Sequence, residues 1–321
     1  METKQGLLRF IKMAHGMVEN TDLEKHRLSQ DHIGELMGRL RDIEFKELDV
    51  QGMHCEWVSG AKSHFSRPVI LHCHGGGYST GSSLYARTLT AKLASTLAVE
   101  VLSFDYRLAP EYQYPAPIED ALKAWDYLMY MGYGARDVII TGDSAGGNLA
   151  LALTMKLKEQ KRQMPRGLIL MSPWTDLTSS GESFVAKKDL DPVLNEPYIT
   201  RMIEAYASGK DLKDPYISPL FGNLKGFPPT YIQVGSNEIL LSDSERLYEK
   251  LKKAGVVTKL DVFEGMWHVF QMAPIKKASE SMDRIAQNLS IFKRPTSNSS
   301  AMLFAAISKS ASLHPPTRST T

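Results

Sequence analysis

Five residues constrain this chain more than any others: Gly-Asp-Ser-Ala-Gly at 142–146, set between the apolar run at 138–141 and the Ala- and Leu-rich stretch NLALALTMKL at 148–157. An apolar run, a glycine-flanked turn and a strong helix former in succession predict a strand that turns sharply into a helix. At such a turn a serine between glycines is held exposed on a tight bend, the arrangement called a nucleophile elbow. The bare G-x-S-x-G pattern arises by chance in about one chain in ten of this length, and its other reading is a serine capping a helix. The strand before it and the helix after it favour Ser144 as a nucleophile.

The rest of the chain repeats that alternation. Short apolar or β-branched runs bounded by turn residues predict eight strands, at 45–50, 53–58, 68–71, 99–103, 138–141, 168–171, 231–234 and 259–263. Helical periodicity falls between the later ones, as at 118–131 with Leu122, Trp125 and Leu128, and at 244–254 with Leu247, Tyr248 and Leu251. Strands alternating with helices predict an α/β fold with a mostly parallel sheet covered on both faces.

Ahead of the strands, Leu7, Phe10, Ile11 and Ala14, then Ile33, Leu36, Met37 and Leu40, are spaced i, i+3, i+4, i+7 as in amphipathic helices. Residues 181–217 break the later rhythm with Pro192, Pro197, Pro215 and a helical piece near 199–207. This reads as an insertion that, with residues 1–44, caps a catalytic domain at 45–294. Residues 295–321, rich in Ser, Thr and Pro, read as a loose tail, with a short apolar patch at 302–307.

Lys plus Arg number 38 against 36 Asp plus Glu, too small an excess to attract nucleic acid or an anionic membrane. No apolar run reaches the eighteen residues or so that span a bilayer. The opening METKQGLLRFIKMAHG alternates charged and apolar residues without a signal-peptide core, so no export signal is expected, and the sparse cysteines fit a reducing cytoplasm. Two cysteines, Cys55 and Cys73, make neither a disulfide framework nor a metal site. Cys73, in an apolar strand, is expected to be buried and inert.

A serine hydroxyl needs a base to take its proton. Of nine histidines, His15, His26, His32 and His314 lie in amphipathic or tail segments, and His54 and His64 near early strands. His268 follows the last strand in VFEGMWHVF, where an α/β-hydrolase places its general base. The base needs an anionic partner, and the first acid after the strand at 231–234 is Glu238. Asp243 is the rival, though it reads more naturally as the start of the next helix.

The three consecutive glycines of HCHGGGYSTGS at 72–82 form a backbone that side chains must not crowd. Acyl transfer places negative charge on a carbonyl oxygen, and a backbone N–H aimed at it is worth roughly 2.7–4 kcal/mol. No G-K-[ST] follows, so a phosphate cradle is disfavoured, and His74 is expected to hold this loop rather than act as a base.

Together these motifs resemble the hormone-sensitive lipase group of α/β-hydrolases, particularly its bacterial esterases. The matching segments are HGGGY at 74–78, DYRLAPE at 105–111, YPAPIEDA at 114–121, GDSAGGNLA at 142–150, SPWTDL at 172–177 and GMWHVF at 265–270. The resemblance covers about residues 65–290. It implies an α/β-hydrolase fold with an eight-stranded sheet and a helical cap, and hydrolysis of short acyl esters without cofactor or metal. It further implies a triad of Ser144, Glu238 and His268, with oxyanion donors at Gly76, Gly77 and Ala145. The acid in this family is more often Asp, and Glu238 is one methylene longer. Relatives often dimerise along the last strand, although this sequence carries no interface signature of its own.

Three functions follow as expectations. The first is a serine carboxylesterase forming an acyl-enzyme on Ser144; Met13, Met17 and Met37 either lend an adaptable pocket or simply pack in the core. The second keeps the triad but cleaves lactones, aryl-acetamides or N-formyl groups. The third is a small-molecule receptor of the same fold, disfavoured because His268 is present.

Overall fold

A computed structural model describes residues 22–61 and 68–292. The expected helix at 7–14, Met13, Met17, His15, His64, the tail at 295–321 and its His314 lie outside the described residues.

The eight expected strands are all present, each end within two residues of its expected position. They are β1 (Ile43–Val50), β2 (Met53–Gly60), β3 (Val69–Cys73), β4 (Glu100–Phe104), β5 (Val138–Asp143), β6 (Gly167–Met171), β7 (Thr230–Gly235) and β8 (Thr258–Phe263). They form one sheet in the order β1-β2-β4-β3-β5-β6-β7-β8, antiparallel from β1 through β4 and parallel thereafter.

Successive side chains of the central strands point to opposite faces, which divides the apolar residues between two cores. Val69, Leu71, Val138, Ile140, Leu168 and Leu170 pack on one side, beneath α3 (Ala116–Tyr130), α4 (Ala145–Glu159) and α7 (Leu241–Lys253). Ile70, Val101, Ile139 and Ile169 pack on the other, beneath α2 (Ser83–Leu97) and α8 (Lys276–Asn288). Burial on both faces explains why these strands read as continuous apolar runs rather than alternating ones. The expected insertion contains α5 (Glu182–Ala186) and α6 (Glu196–Ala207).

The helix expected around 33–40 differs from its sequence reading. It is α1 (Leu23–Met37), its first turn capped by the Asp22 carboxylate, which accepts from Glu24 N at 3.0 Å, and Leu40 lies beyond its end. Ile33 and Leu36 are 55% and 61% exposed, while Gly34 is buried. A Cβ on Gly34 would lie 2.3 Å from the Leu84 carbonyl oxygen, so α1 packs on α2 backbone to backbone along its small-residue face. Apolar periodicity therefore marks the face turned away from α2, and the packing contact with α2 is made by Gly34. Among the described residues no helix is long and apolar enough to cross a membrane.

Candidate active site

Three parallel strands deliver the site at their carboxyl ends. β5 ends at Asp143, and Ser144 makes the turn into α4 with φ 53° and ψ −122°, a region that side chains disfavour. The turn is tight on both sides. A Cβ on Gly142 would lie 2.2 Å from the Gly146 carbonyl oxygen, and one on Gly146 would lie 2.0 Å from that of Cys73. Glycine at both flanks lets the helix start directly over the neighbouring strand.

His268 lies in the loop after β8 and Glu238 in the turn after β7; they are 6% and 0% exposed. The His268 Nδ1 stands 2.9 Å from Glu238 Oε2, and its Nε2 stands 2.9 Å from Ser144 Oγ. A carboxylate only accepts, so Nδ1 carries the proton and Nε2 presents its lone pair to the serine O–H. Burial by itself would lower the His268 pKa. The Glu238 hydrogen bond and charge, with the charges of Asp191 and Asp143, outweigh it and hold the imidazole above its ordinary value of 6.5.

The extra methylene of Glu238 is accommodated by a fixed seat for its other oxygen. Oε1 accepts from Ser172 Oγ at 2.8 Å and from Gly235 N. Ser172 Oγ also accepts from Val269 N at 3.2 Å, so one hydroxyl braces both the acid and the histidine loop. Asp243 is elsewhere. Its buried carboxylate accepts from Thr175 N and Asp176 N at 2.7 and 2.9 Å, and burial pushes its pKa up to about 7. It anchors the loop after β6 rather than the N–H groups of its own helix, α7.

The glycine run at 75–77 follows β3, and Gly76 and Gly77 line the same cavity as Ser144 and His268. Gly76 has φ +111°, and a Cβ there would fall 2.1 Å from the Thr80 carbonyl oxygen. The protein's own backbone, then, crowds this glycine. Ala145 opens α4, where a backbone N–H has no helical carbonyl to meet. His74 is buried, stacked on Tyr106 with ring centroids 4.0 Å apart, and its Nδ1 donates to the Gly75 carbonyl at 2.7 Å.

Several supporting residues were not singled out in the sequence. Asp143 accepts from Gly75 N at 3.1 Å and from Tyr85 Oη at 3.2 Å, tying the glycine loop to the residue before Ser144. Asn148 accepts from Tyr78 Oη at 2.8 Å and donates to the Trp174 and Ile217 carbonyls at 2.8 and 2.9 Å. Lys92 Nζ donates to the carbonyls of Gln271 and Ala273 at 2.6 and 3.1 Å, just past His268, and burial lowers its pKa to about 8. Asp143, Asn148 and Ser172 stand inside the quoted motifs; Lys92 is a lone lysine on a helix, with no local pattern to mark it. Cys73 is buried, and burial raises its thiol pKa far above the ordinary value.

The cavity over Ser144 measures about 390 Å³. Its walls come from α1 (Gln30, Ile33, Met37), the insertion (Val193, Leu194, Tyr198, Ile199, Met202) and the segment 267–274. Among the described residues that line it there is no Asp, Glu, Lys or Arg.

Comparison with known proteins gives the family. A family model described as the alpha/beta hydrolase fold matches residues 70–272. The chain is 38% identical to an esterase of Acinetobacter venetianus over 80% of this chain and 85% of that protein. It is 34% identical to an acetyl-hydrolase of Streptomyces hygroscopicus, over 78% and 83% of the two chains. Among solved structures, a hormone-sensitive lipase from a metagenome library superposes with a TM-score of 0.84 at 34% identity, over 90% of this chain and 98% of that one. The protein EstE5, soaked with p-nitrophenyl butyrate, superposes at 0.80 and 31% identity, over 88% and 98%. The chain belongs to the alpha/beta-hydrolase family, among its hormone-sensitive-lipase-like esterases.

Proposed function

We propose that the protein is a serine carboxylesterase that hydrolyses neutral, short-chain acyl esters through an acyl-enzyme on Ser144. The observation that carries this reading is the hydrogen-bonded line from Ser144 through His268 to Glu238, with 2.9 Å at each step, opening onto a cavity whose described lining residues include no Asp, Glu, Lys or Arg.

The reaction follows from that line. Ser144 Oγ attacks the ester carbonyl carbon while His268 Nε2 takes its proton, and Glu238 stabilises the resulting imidazolium. The carbonyl oxygen becomes an oxyanion that accepts from the N–H groups of Gly76, Gly77 and Ala145. The carbon–alkoxy bond then breaks, and His268 returns the proton to the departing alcohol. Water then enters the acyl-enzyme: its oxygen bonds to the acyl carbonyl carbon as His268 Nε2 takes its proton, the carbonyl carbon–Oγ bond breaks, His268 returns the proton to Ser144 Oγ, and the acid leaves.

The same reading makes α1 and the 181–217 insertion a cap that shapes the substrate pocket. A cavity of about 390 Å³ sits at the small end of ligand pockets, which suits compact acyl and alcohol groups. Uncharged walls suit uncharged esters, since a charged headgroup would be desolvated there without a partner.

Hydrolysis of p-nitrophenyl esters from acetate to decanoate tests the proposal. Activity is expected to peak among the short chains and to be abolished in Ser144→Ala, with an acyl adduct on Ser144 seen by mass spectrometry on rapid quench. Full activity in Ser144→Ala would overturn it. Comparable kcat/KM on matched amides would point to amide hydrolysis, and tight ester binding without turnover to a receptor.

A further inference from the structure

One buried carboxylate near the site has no role in the proton path. Asp191 lies in the insertion, 2% exposed. Its Oδ1 accepts from Val193 N and Leu194 N, each at 2.9 Å. Its Oδ2 accepts from Ile239 N, also at 2.9 Å. Val193 and Leu194 form part of the cavity wall, and Ile239 directly follows Glu238. A single carboxylate thus joins the wall that touches substrate to the turn that carries the acid.

The arrangement is costly for a structural link. Burial opposes the charge and raises the Asp191 pKa to about 6, while the three backbone donors and His268 pull the other way. The titratable groups acting on His268 are Glu238 from the turn after β7, Asp191 from the insertion and Asp143 from the end of β5. Of these only Glu238 touches the imidazole through a side-chain hydrogen bond. Asp191 therefore acts on the histidine through space and on the acid through the backbone.

We propose that Asp191 is a positioning residue that locks the Val193–Leu194 wall of the substrate pocket to the Glu238 turn, so that pocket shape and acid placement are set together. This rests on the esterase reading above. The link gives the acyl pocket a direct hold on the catalytic machinery, because an ester that displaces the wall strains the Ile239 amide and with it the Glu238 seat. Only a carboxylate of this length spans two amides on one side and a third on the other. An amide side chain turns an NH₂ toward one of those donors and breaks half the link.

Asp191→Asn tests the proposal in the full-length enzyme with p-nitrophenyl acetate and butyrate. The expected result is a loss of about tenfold or more in kcat, the scale of small misplacements of catalytic groups, together with a KM for butyrate that changes more than that for acetate. The acid limb of kcat/KM is expected to move to lower pH, because one of the anions that raise His268 is gone. A residue that only supports the fold would lower Tm and leave that limb in place. Hydrogen exchange at the Val193, Leu194 and Ile239 amides is expected to quicken together, a readout independent of turnover. Wild-type protein that neither hydrolyses esters nor is modified at Ser144 by a small fluorophosphonate would overturn the esterase reading, and the exchange data would still decide the link. An Asp191→Asn enzyme with an unmoved acid limb and the KM ratio of the wild type would overturn the proposal, as would exchange that stays at the wild-type rate at all three amides. Should that variant fail to fold, Asp191→Ser, which keeps one acceptor, is read by the same criteria.

Discussion

Ser144 Oγ and His268 Nε2 stand 2.9 Å apart across 124 residues of chain. Neither local segment could hold that distance. The parallel register of β5 through β8 brings the ends of three strands to one edge, and the loops there do the rest.

Removing the hydroxyl separates chemistry from stability. Ser144→Ala is expected to lose at least about 10,000-fold in kcat/KM. Its stability should change little, because alanine inherits the strained φ of 53°. Ser144→Gly should be equally inactive yet more stable than Ser144→Ala by about 1 kcal/mol, since only glycine relaxes in that conformation. Thermal melts of the two variants check this; an alanine variant that melts higher would show that the elbow is unstrained.

In the proposed mechanism Glu238 sets the pH at which the base works. His268 must be neutral to accept a proton, and its pKa is raised above 6.5 by Glu238 against burial. Activity is therefore full above the raised value and falls as pH drops through it. Glu238→Gln is expected to cost about 100- to 10,000-fold in kcat and to shift the acid limb to lower pH. The linkage has a definite sign as well. A raised histidine pKa adds stability that is fully present below the unfolded value and lost as pH rises through the folded one. The wild type should therefore exceed Glu238→Gln in Tm by more at about pH 6 than at about pH 8.5.

The expected strands and the segments that bring Ser144 and His268 together could be read from the chain because each has a local signal, whereas Glu238 was separated from Asp243 only by its place in the turn after the strand. Apolar runs, glycine punctuation and the motifs at 74–78, 142–150 and 265–270 all act within a few residues. What could not be read depends on contacts that no local pattern encodes. α1 misled because its apolar residues face the cavity and solvent, while Gly34 makes the close approach. Asp191 and Lys92 were missed for a related reason. Both bind backbone groups far along the chain, and any backbone can supply those, so their partners leave no mark in the sequence.

Two adjacent glycines should respond differently to alanine. At Gly76 the new Cβ would fall 2.1 Å from the Thr80 carbonyl oxygen with φ at +111°, so the backbone itself must move. At Gly77 the three nearest atoms would all belong to the Met202 side chain, the first at 2.7 Å, with φ +61°. Gly76→Ala is expected to cost roughly 3 kcal/mol or more and Gly77→Ala about 1–2 kcal/mol. A loop displaced at Gly76 also misaims its N–H groups, so kcat should fall about 100-fold or more. Chemical denaturation and kinetics on both variants check the ranking, which reverses if the Met202 wall is less yielding than the loop.

The contact between α1 and α2 is expected to decide which esters fit. A Cβ on Gly34 would lie 2.3 Å from the Leu84 carbonyl oxygen and 2.6 Å from Tyr85 Cα, both backbone atoms, so α1 has to lift rather than repack. It is held elsewhere: Arg27 donates to the carbonyls of Ser79 and Ala109 at 2.8 and 2.9 Å and pairs with Glu111, and Asp31 accepts from Ser82 Oγ at 2.5 Å. Pinned at those points and pushed at Gly34, the helix must tilt, carrying Ile33 and Met37 away from the cavity. Gly34→Ala is therefore expected to lower stability by about 2 kcal/mol and to shift kcat/KM toward longer acyl chains by about tenfold in the octanoate-to-acetate ratio. Leu36→Ala, on the exposed side, should change neither. A melting point that falls in Gly34→Ala while the chain-length profile stays that of the wild type would mean that α1 yields without widening the pocket.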